Sequence, residues 1–467
     1  MPLIKSISGI RGTIGGKVDQ GLTPIDSVKF AAAYGTWLKN RKNLISGDKS
    51  KKLKVVIGRD ARLSGQMISD LVSSTLIGLG IDVVNLGLST TPTVEIAVTM
   101  ENADGGIILT ASHNPKQWNA LKLLNEKGEF ISAQDGENLL KIAEAEAFDF
   151  AEVDDLGIIT NNDTYLQKHI DSVLNLKLVD ADIIKKANFK VVVDAVNSTG
   201  GIFVPALLEA LGVTQITKLY CDPTGHFPHN PEPLPEHLTD LADKIKETGA
   251  DIGITVDPDV DRLALVCEDG SMFGEEYTLV ACADFVLKNT PGATVSNLSS
   301  TRALRDVTEE KGLSYFASAV GEVNVVEKMK AVNAVIGGEG NGGIIYPESH
   351  YGRDSLVGIA LFLTHLAQMK MTVSDLRDSY PKYVISKNKI ELTPEIDVDK
   401  ILETIAAKFS NEEVDTIDGV KIYIGSEWVH LRKSNTEPII RIYSESRTAE
   451  SANAFAEKFI AEIKSLI

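Results

Sequence analysis

Three aspartates stand at alternate positions in DIGITVDPDVDRLALVCED: Asp257, Asp259 and Asp261. Carboxylates this close repel one another, and a divalent cation relieves the cost. An all-oxygen donor set selects Mg2+ or Ca2+ over zinc or copper. Counting from Asp257, Glu268 falls at the twelfth position, as in an EF-hand, but Arg262 occupies the sixth, where that calcium loop requires glycine. The flanks IGITV and LALVC also read as strands rather than helices, so an EF-hand is excluded. A solvated acidic turn is the competing reading; the two buried flanking strands favour a metal site. Three monodentate acids leave coordination positions open, which Mg2+ commonly fills with water or a phosphate oxygen.

A second stretch, TASHNPKQWNALK from Thr110 to Lys122, follows the apolar run GGIIL. Ser112 at the end of a buried strand is a candidate nucleophile. A hydroxyl is weak at neutral pH and needs a base, a metal or a phosphate already attached. His113 and Lys122 are candidates for positioning and proton transfer. On residue types alone a plain turn with a serine in it is the preferred reading.

Two further loops complete the set. VIGGEGNGGIIYPE, Val335 to Glu348, is glycine-rich and carries Glu339 and Asn341, side chains suited to sugar hydroxyls. Its spacing matches neither a P-loop nor a dinucleotide fingerprint, and on its own the loop is weak evidence against a flexible turn. LRKSNTEPIIR, Leu431 to Arg441, offers Arg432, Ser434, Asn435 and Thr436 in a short turn. A guanidinium beside hydroxyls and backbone donors suits a phosphate, and an ordinary turn with a solvated arginine accounts for it equally well.

The elements that must position these loops recur. KVVIGRDARLSG, QMISDLVSSTLIGLG and IDVVNLG read as strand, turn, helix and strand. KVVVDAVNSTGG, IFVPALLEALG and VTQITKLY repeat the order, with Asp194 in the place of Asp60 and a Leu-Gly stop after each helix. A weaker third copy begins at Ala293 with ATVSNLSS, TRALRDVTEEKG and LSYFASAVG. Three such units predict related α/β domains with crossover connections. The last ninety or so residues differ. IDVDKILETIAAKF and AESANAFAEKFIAEIKSL have helical spacing, KIYIGSEWVHLRKS and PIIRIYSES read as strands, and Asp418-Gly419 is a tight turn. The expected domains are 1–160, 161–270, 271–378 and a smaller α+β domain, 379–467.

Bulk properties narrow the partners. The 467 residues, 43% hydrophobic and 24% charged, fit a soluble globular protein of several cores. The net charge of −18 makes nucleic acid and anionic membranes poor partners, so a phosphate must be gripped by a local cationic cluster. Cys221, Cys267 and Cys282 are few, scattered and odd in number, which argues against a disulfide framework. The N-terminal MPLIKSISGIRGTIGG has no signal-peptide core, and no apolar run is of transmembrane length. The cytoplasm is the expected compartment. Monomer and homo-oligomer are not distinguished.

Taken in order, these loops resemble the α-D-phosphohexomutase superfamily, which includes phosphoglucomutases, phosphomannomutases and phosphoglucosamine mutases. The resemblance runs from SGIRG (Ser8–Gly12) and GRDARLSG (from Gly58) through TASHNP, HFPHNPEP (His226–Pro233), DPDVDR and GEGNGG to RKSNTEP. It implies three similar α/β domains with mixed sheets and a smaller fourth, around a central cleft. It also implies that Ser112 is a phosphoserine and that Asp257, Asp259 and Asp261 hold Mg2+ together with the Ser112 phosphate. Arg11, Lys122 and Arg262 would surround the transferred phosphate, with Lys122 as an acid/base. Glu339 would bind sugar hydroxyls, and Arg432, Ser434, Asn435 and Thr436 the non-transferring phosphate.

The sequence departs from the commonest family patterns at Pro258 in the metal loop, at Asn119-Ala120, and in the sugar loop, where Asn341 and Gly343 replace a serine and a histidine. His350 is the candidate to supply the missing imidazole. The sugar-loop form is similar to an archaeal-like branch that includes phosphoglucosamine mutases. The expected activity is therefore interconversion of glucosamine 6-phosphate and glucosamine 1-phosphate, with a hexose 1,6-bisphosphate as intermediate and activator. The alternatives are a phosphoglucomutase/phosphomannomutase, a Mg2+-dependent sugar phosphatase and a non-catalytic sugar-phosphate sensor. The intact Ser112, triad and Lys122 argue against the sensor.

Overall fold

The computed structural model describes residues 3–6, 9–45, 52–393, 396–433 and 439–466. Within it the chain divides into two units, Met1–Glu275 with Gly343–Ser374, and Glu276–Gly342 with Asp375–Ile467. The first unit opens with seven strands: β1 (Ile4–Ser6), β2 (Gly9–Thr13), β3 (Lys54–Arg59), β4 (Asp82–Leu88), β5 (Gly105–Leu109), β6 (Trp118–Leu124) and β7 (Ile159–Asn161). They form one mixed sheet in the order β1-β2-β6-β5-β3-β4-β7. β3 runs parallel to β4 and β5, and β6 antiparallel to β5 and β2.

The uninterrupted apolar run in β3 follows from burial on both faces. Val55 and Ile57 join Phe30, Tyr34, Ile68, Val72 and Leu76 in one layer, while Val56 joins Val94, Ala97 and Val98 in the other.

A second sheet in this unit contains β8 (Lys190–Asp194), β9 (Gln215–Leu219), β10 (Ile252–Val256) and β11 (Leu263–Cys267), in the order β11-β10-β8-β9. β8 is parallel to both β9 and β10, whereas β10 and β11 are an antiparallel pair. The three aspartates occupy the turn of that pair. A short strand, β15 (Gly343–Ile345), and the helix Ser355–Met369 complete the unit.

In the second unit β12 (Thr294–Asn297) lies parallel to β13 (Tyr315–Ser318) and β14 (Ile336–Glu339). The C-terminal part is an antiparallel sheet of β16 (Val384–Glu391), β17 (Glu413–Asp415), β18 (Val420–Ile424), β19 (Glu427–Lys433) and β20 (Ile439–Ser446), in the order β16-β20-β19-β18-β17. Helices Val398–Lys408 and Ala449–Lys464 contribute Ile401, Ile405, Phe455 and Phe459 to its core. The stretch KIYIGSEWVHLRKS is divided into β18 and β19 by a turn at Gly425, whose φ of 62° suits glycine.

The threefold repeat is real at the level of backbone devices. Each copy is a strand, a helix and a second strand parallel to the first: β3 and β4 around Gly65–Gly78, β8 and β9 around Gly200–Ala210, β12 and β13 around Ala303–Glu310. Each helix ends at a positive-φ glycine, Gly80, Gly212 or Gly312. At the end of each first strand an Asp or Asn side chain accepts the backbone N–H two residues on: Asp60 from Arg62, Asp194 from Val196 and Asn297 from Ser299.

Candidate active site

The serine loop is built on Arg62. This side chain is fully buried, pairs with Asp60 at 3.0 Å, and donates to the backbone carbonyls of Ser112, Asn114 (2.6 Å), Pro115 (2.8 Å) and Trp118 (3.0 Å). The Phe227 ring lies against its guanidinium, 5.1 Å from centroid to carbon. Five donors in a fixed fork suit one residue to organise so many carbonyls. Held this way, Ser112 adopts a left-handed φ of 48°, a sparsely populated conformation for a non-glycine residue and one that clusters at functional sites.

Opposite stands the aspartate turn. Asp257 Oδ1 accepts the N–H groups of Asp261 and Arg262, each at 3.1 Å, and its Oδ2 accepts the Ser112 hydroxyl at 2.6 Å. Asp259 Oδ2 accepts from Lys122 Nζ at 2.7 Å and Thr91 Oγ1 at 2.6 Å. Asp261 Oδ2 accepts from Arg353 Nη2 at 2.7 Å and Lys122 Nζ at 3.2 Å. The remaining oxygens, Asp259 Oδ1 and Asp261 Oδ1, are buried without a hydrogen-bond partner. One oxygen from each of the three acids lies within 4.8 Å of the others. Buried carboxylate oxygens left unpartnered are costly unless a cation takes them, so the donor set fits a divalent metal ion.

Backbone and electrostatics agree with that fit. Val260, β-branched and buried, has a φ of 63°, and the Pro258 carbonyl is gripped by Ser198 Oγ (2.7 Å) and Thr199 Oγ1 (2.9 Å). Burial, then repulsion from Asp259 and Asp261, pushes the Asp257 carboxyl well above its ordinary range. Asp261 moves the other way: burial opposes ionisation, but Arg353, Lys122 and Arg262 outweigh it. Burial would lower the Lys122 pKa, yet Asp259 and Asp261 together raise it, so the group is an ammonium.

The other sequence-selected residues of this unit gather around Ser112 and the triad. His113 Nδ1 is 3.4 Å from Ser112 Oγ; burial, then the charges of Arg262 and Arg11, push its imidazole well below the usual value. Arg11 donates to Asn114 Oδ1 at 2.9 Å. Arg262 lies 3.5 Å from Glu232 and 3.9 Å from Asp261.

His350 has partners that the sequence does not show. Its ring is committed to two buried carboxylates, with Nε2 hydrogen-bonded to Asp354 Oδ2 at 3.2 Å and Nδ1 ion-paired with Glu95 Oε2 at 3.3 Å. Burial works against its charge, but Asp354 and Glu95 raise the pKa to about 10. Asp354 also accepts from His169 Nε2 at 2.9 Å and caps the helix Ser355–Met369. An imidazole held this way ties two buried carboxylates together.

In the second unit, Glu339 at the end of β14 is buried, and its Oε1 accepts from Asn297 Nδ2 (2.8 Å) and the Gly321 N–H (3.1 Å). Asn341 is partly buried in the following turn. Arg432 on β19 pairs with Asp418 at 2.7 Å. Ser434, Asn435 and Thr436 lie outside the described residues.

Family models match almost end to end: phosphoglucomutase/phosphomannomutase alpha/beta/alpha domains I, II and III over residues 4–150, 167–270 and 274–383, and the C-terminal domain over 389–462. The chain belongs to the phosphoglucomutase/phosphomannomutase family. A phosphoglucomutase/phosphomannomutase of Thermococcus kodakarensis is 34% identical over 96% of each chain. A phosphoglucosamine/phosphogalactosamine mutase of Sulfurisphaera tokodaii is 30% identical over 98% of each. The crystal structure of a family protein from Burkholderia thailandensis superposes with a TM-score of 0.84 at 27% identity, covering 99% of this chain and 98% of the other. As a phosphohexomutase, the protein is an isomerase that works by intramolecular phosphoryl transfer. Among its described residues no helix is long and apolar enough to cross a membrane.

Sequence reasoning passed over Thr91, Arg353 and the work of Arg62. Arg62 sat inside the quoted GRDARLSG, and Gly352-Arg353-Asp354 repeats the Gly-Arg-Asp of Gly58–Asp60, a visible signal. Thr91 carried none, because its partner Asp259 is remote in the chain.

Proposed function

We propose that this phosphohexomutase interconverts glucosamine 6-phosphate and glucosamine 1-phosphate in the cytoplasm, with Ser112 as the phosphoryl carrier. The observation that carries the reading is the 2.6 Å contact of Ser112 Oγ with Asp257, beside two buried carboxylate oxygens that lack a partner. Asp257, Asp259 and Asp261, with a phosphate oxygen on Ser112, would hold Mg2+, which when bound polarises the phosphoryl group and makes the serine oxygen a better leaving group.

Phospho-Ser112 gives its phosphoryl group to a sugar hydroxyl: the P–Oγ bond breaks, a P–O bond to the sugar forms, and the hydroxyl's proton replaces the phosphoryl group on the protein side. The hexose 1,6-bisphosphate so formed turns over and returns its other phosphate to Ser112. Lys122, Arg11 and Arg262 neutralise the transferring oxygens, and His113 borders the serine oxygen. Because little covalent chemistry is asked of the protein, positioning and charge do most of the work. Glu339 and Asn341 take sugar hydroxyls, and Arg432, with Ser434, Asn435 and Thr436, takes the non-transferring phosphate.

The amino sugar is supported by the Glu339-Gly-Asn-Gly-Gly loop and by the relative named for phosphoglucosamine and phosphogalactosamine. The test is a panel of glucosamine, glucose and mannose 6-phosphates assayed with Mg2+ and catalytic bisphosphate. Glucosamine 6-phosphate gives the highest kcat/KM. A clear preference for glucose or mannose phosphate replaces the substrate, and release of inorganic phosphate without isomerisation replaces the reaction.

A further inference from the structure

We propose that Arg353 is a positioning residue that fixes Asp261 as a metal ligand. The inference rests on the reading of the aspartate triad as a metal site. Asp261 has one oxygen held and one left over. Arg353 Nη2 holds Oδ2 at 2.7 Å, and Oδ1 is buried and makes no hydrogen bond, its nearest cation being Arg262 Nε at 3.9 Å. Lys122 also reaches Oδ2, at 3.2 Å, but is closer to Asp259 at 2.7 Å, so it cannot set the Asp261 carboxylate alone. The guanidinium therefore decides which oxygen of Asp261 remains available. Groups that orient a ligand from behind typically alter metal affinity 10–100-fold when removed.

The aim of Arg353 is itself fixed. The next residue, Asp354, accepts two helix N–H groups through Oδ1, from Leu356 at 2.8 Å and Val357 at 3.3 Å. That is all a helix cap requires. Its Oδ2 is further held by His169 at 2.9 Å and His350 at 3.2 Å. On the other side of Arg353, a Cβ built on Gly352 would fall 1.8 Å from Glu95 Oε2, so the backbone is pressed against that carboxylate. Glu95 pairs with His350 and lies one turn beyond Thr91, on the helix whose Thr91 hydroxyl holds Asp259. Helices Thr91–Met100 and Ser355–Met369 thus each begin at a clamp on one triad carboxylate, and His350 ties the two together.

Mn2+ titrations followed by electron paramagnetic resonance, on substrate-free full-length protein, test this. Arg353→Met weakens Mn2+ binding on the order of tenfold or more; breaking its buried pair with Asp261 also lowers the metal-free Tm, so the titrations are run well below that midpoint. Arg353→Lys, which keeps the cation, recovers most of the affinity, and His350→Gln weakens binding by a smaller factor. In turnover, Arg353→Met loses kcat rather than raising KM. Mn2+ affinity of Arg353→Met within twofold of wild type overturns the proposal, as does Arg353→Lys binding no better than Arg353→Met. Should Arg353→Met fail to fold, Arg353→Lys and His350→Gln carry the test. Wild-type protein that binds no Mn2+ removes the metal reading itself, an outcome separate from an Arg353 variant that binds normally.

Discussion

Replacing His350 with glutamine should change how stability depends on pH. The ring lies between Glu95 and Asp354, and its pKa is raised from 6.5 to about 10. The other charged or titratable groups of this cluster are His169, on the same Asp354 oxygen, and Arg353, adjacent in the chain. A group whose folded pKa exceeds its unfolded value stabilises fully below the unfolded pKa and loses that contribution as pH rises through the folded one. The window here is therefore pH 6.5 to about 10. The whole shift corresponds to about 5 kcal/mol, and raising the pH from 6.5 to 9 removes about 3 kcal/mol of it. Glutamine keeps a hydrogen-bonding side chain but does not titrate. Urea unfolding of wild type and His350→Gln at several pH values from 6.5 to 9.5 measures the difference directly. The wild-type advantage should be largest near pH 6.5 and shrink by that order toward pH 9.5. A difference that stays constant across the range refutes the argument, because it means the imidazole carries no extra proton between the two carboxylates.

Two further outcomes follow from the serine loop. Ser112→Ala abolishes isomerisation of the hexose phosphate, and a variant that turns over at the wild-type rate sinks the phosphoserine mechanism. Arg62→Met removes one partner of a fully buried ion pair and the donor to four carbonyls, and destabilises the protein by about 3–5 kcal/mol. An unchanged thermal midpoint would show that the guanidinium does not hold the loop.

Much of the fold could be read from the sequence because its signals are local. Runs such as KVVIG and KVVVD mark strands buried on both faces, and the Leu-Gly stops mark helix ends that the structure realises at Gly80 and Gly212. The site was legible only in part. Each loop proclaims its chemistry locally, but the contacts that assemble them do not: Ser112 meets Asp257 across 145 residues, and Thr91 meets Asp259 across 168. No periodicity records such a pairing. The partners of His350 are hidden for the same reason. Its distance along the chain from the sugar loop was visible, whereas Glu95, which claims its ring, lies far upstream.

The repeat itself explains part of what was hidden. At the end of each first strand, one side-chain atom makes the same turn, and another is spent on a residue of the site. Asp60 Oδ2 takes Arg62, which shapes the serine loop. Asp194 Oδ2 takes His229 of HFPHNPEP at 3.0 Å, the element whose Glu232 reaches Arg262. Asn297 Nδ2 gives a hydrogen bond to Glu339. Asp and Asn make this turn equally well, so the turn does not choose between them; the partner does. Asp60 faces a guanidinium. Asp194 faces an imidazole whose pKa it raises against the lowering effect of burial. The third copy faces a buried carboxylate, where an acid would repel and an amide can donate. The one departure from Asp among the three copies therefore marks the copy that holds Glu339. A repeated turn with a changed side chain thus points to the charge of its partner, even where that partner is remote in the chain.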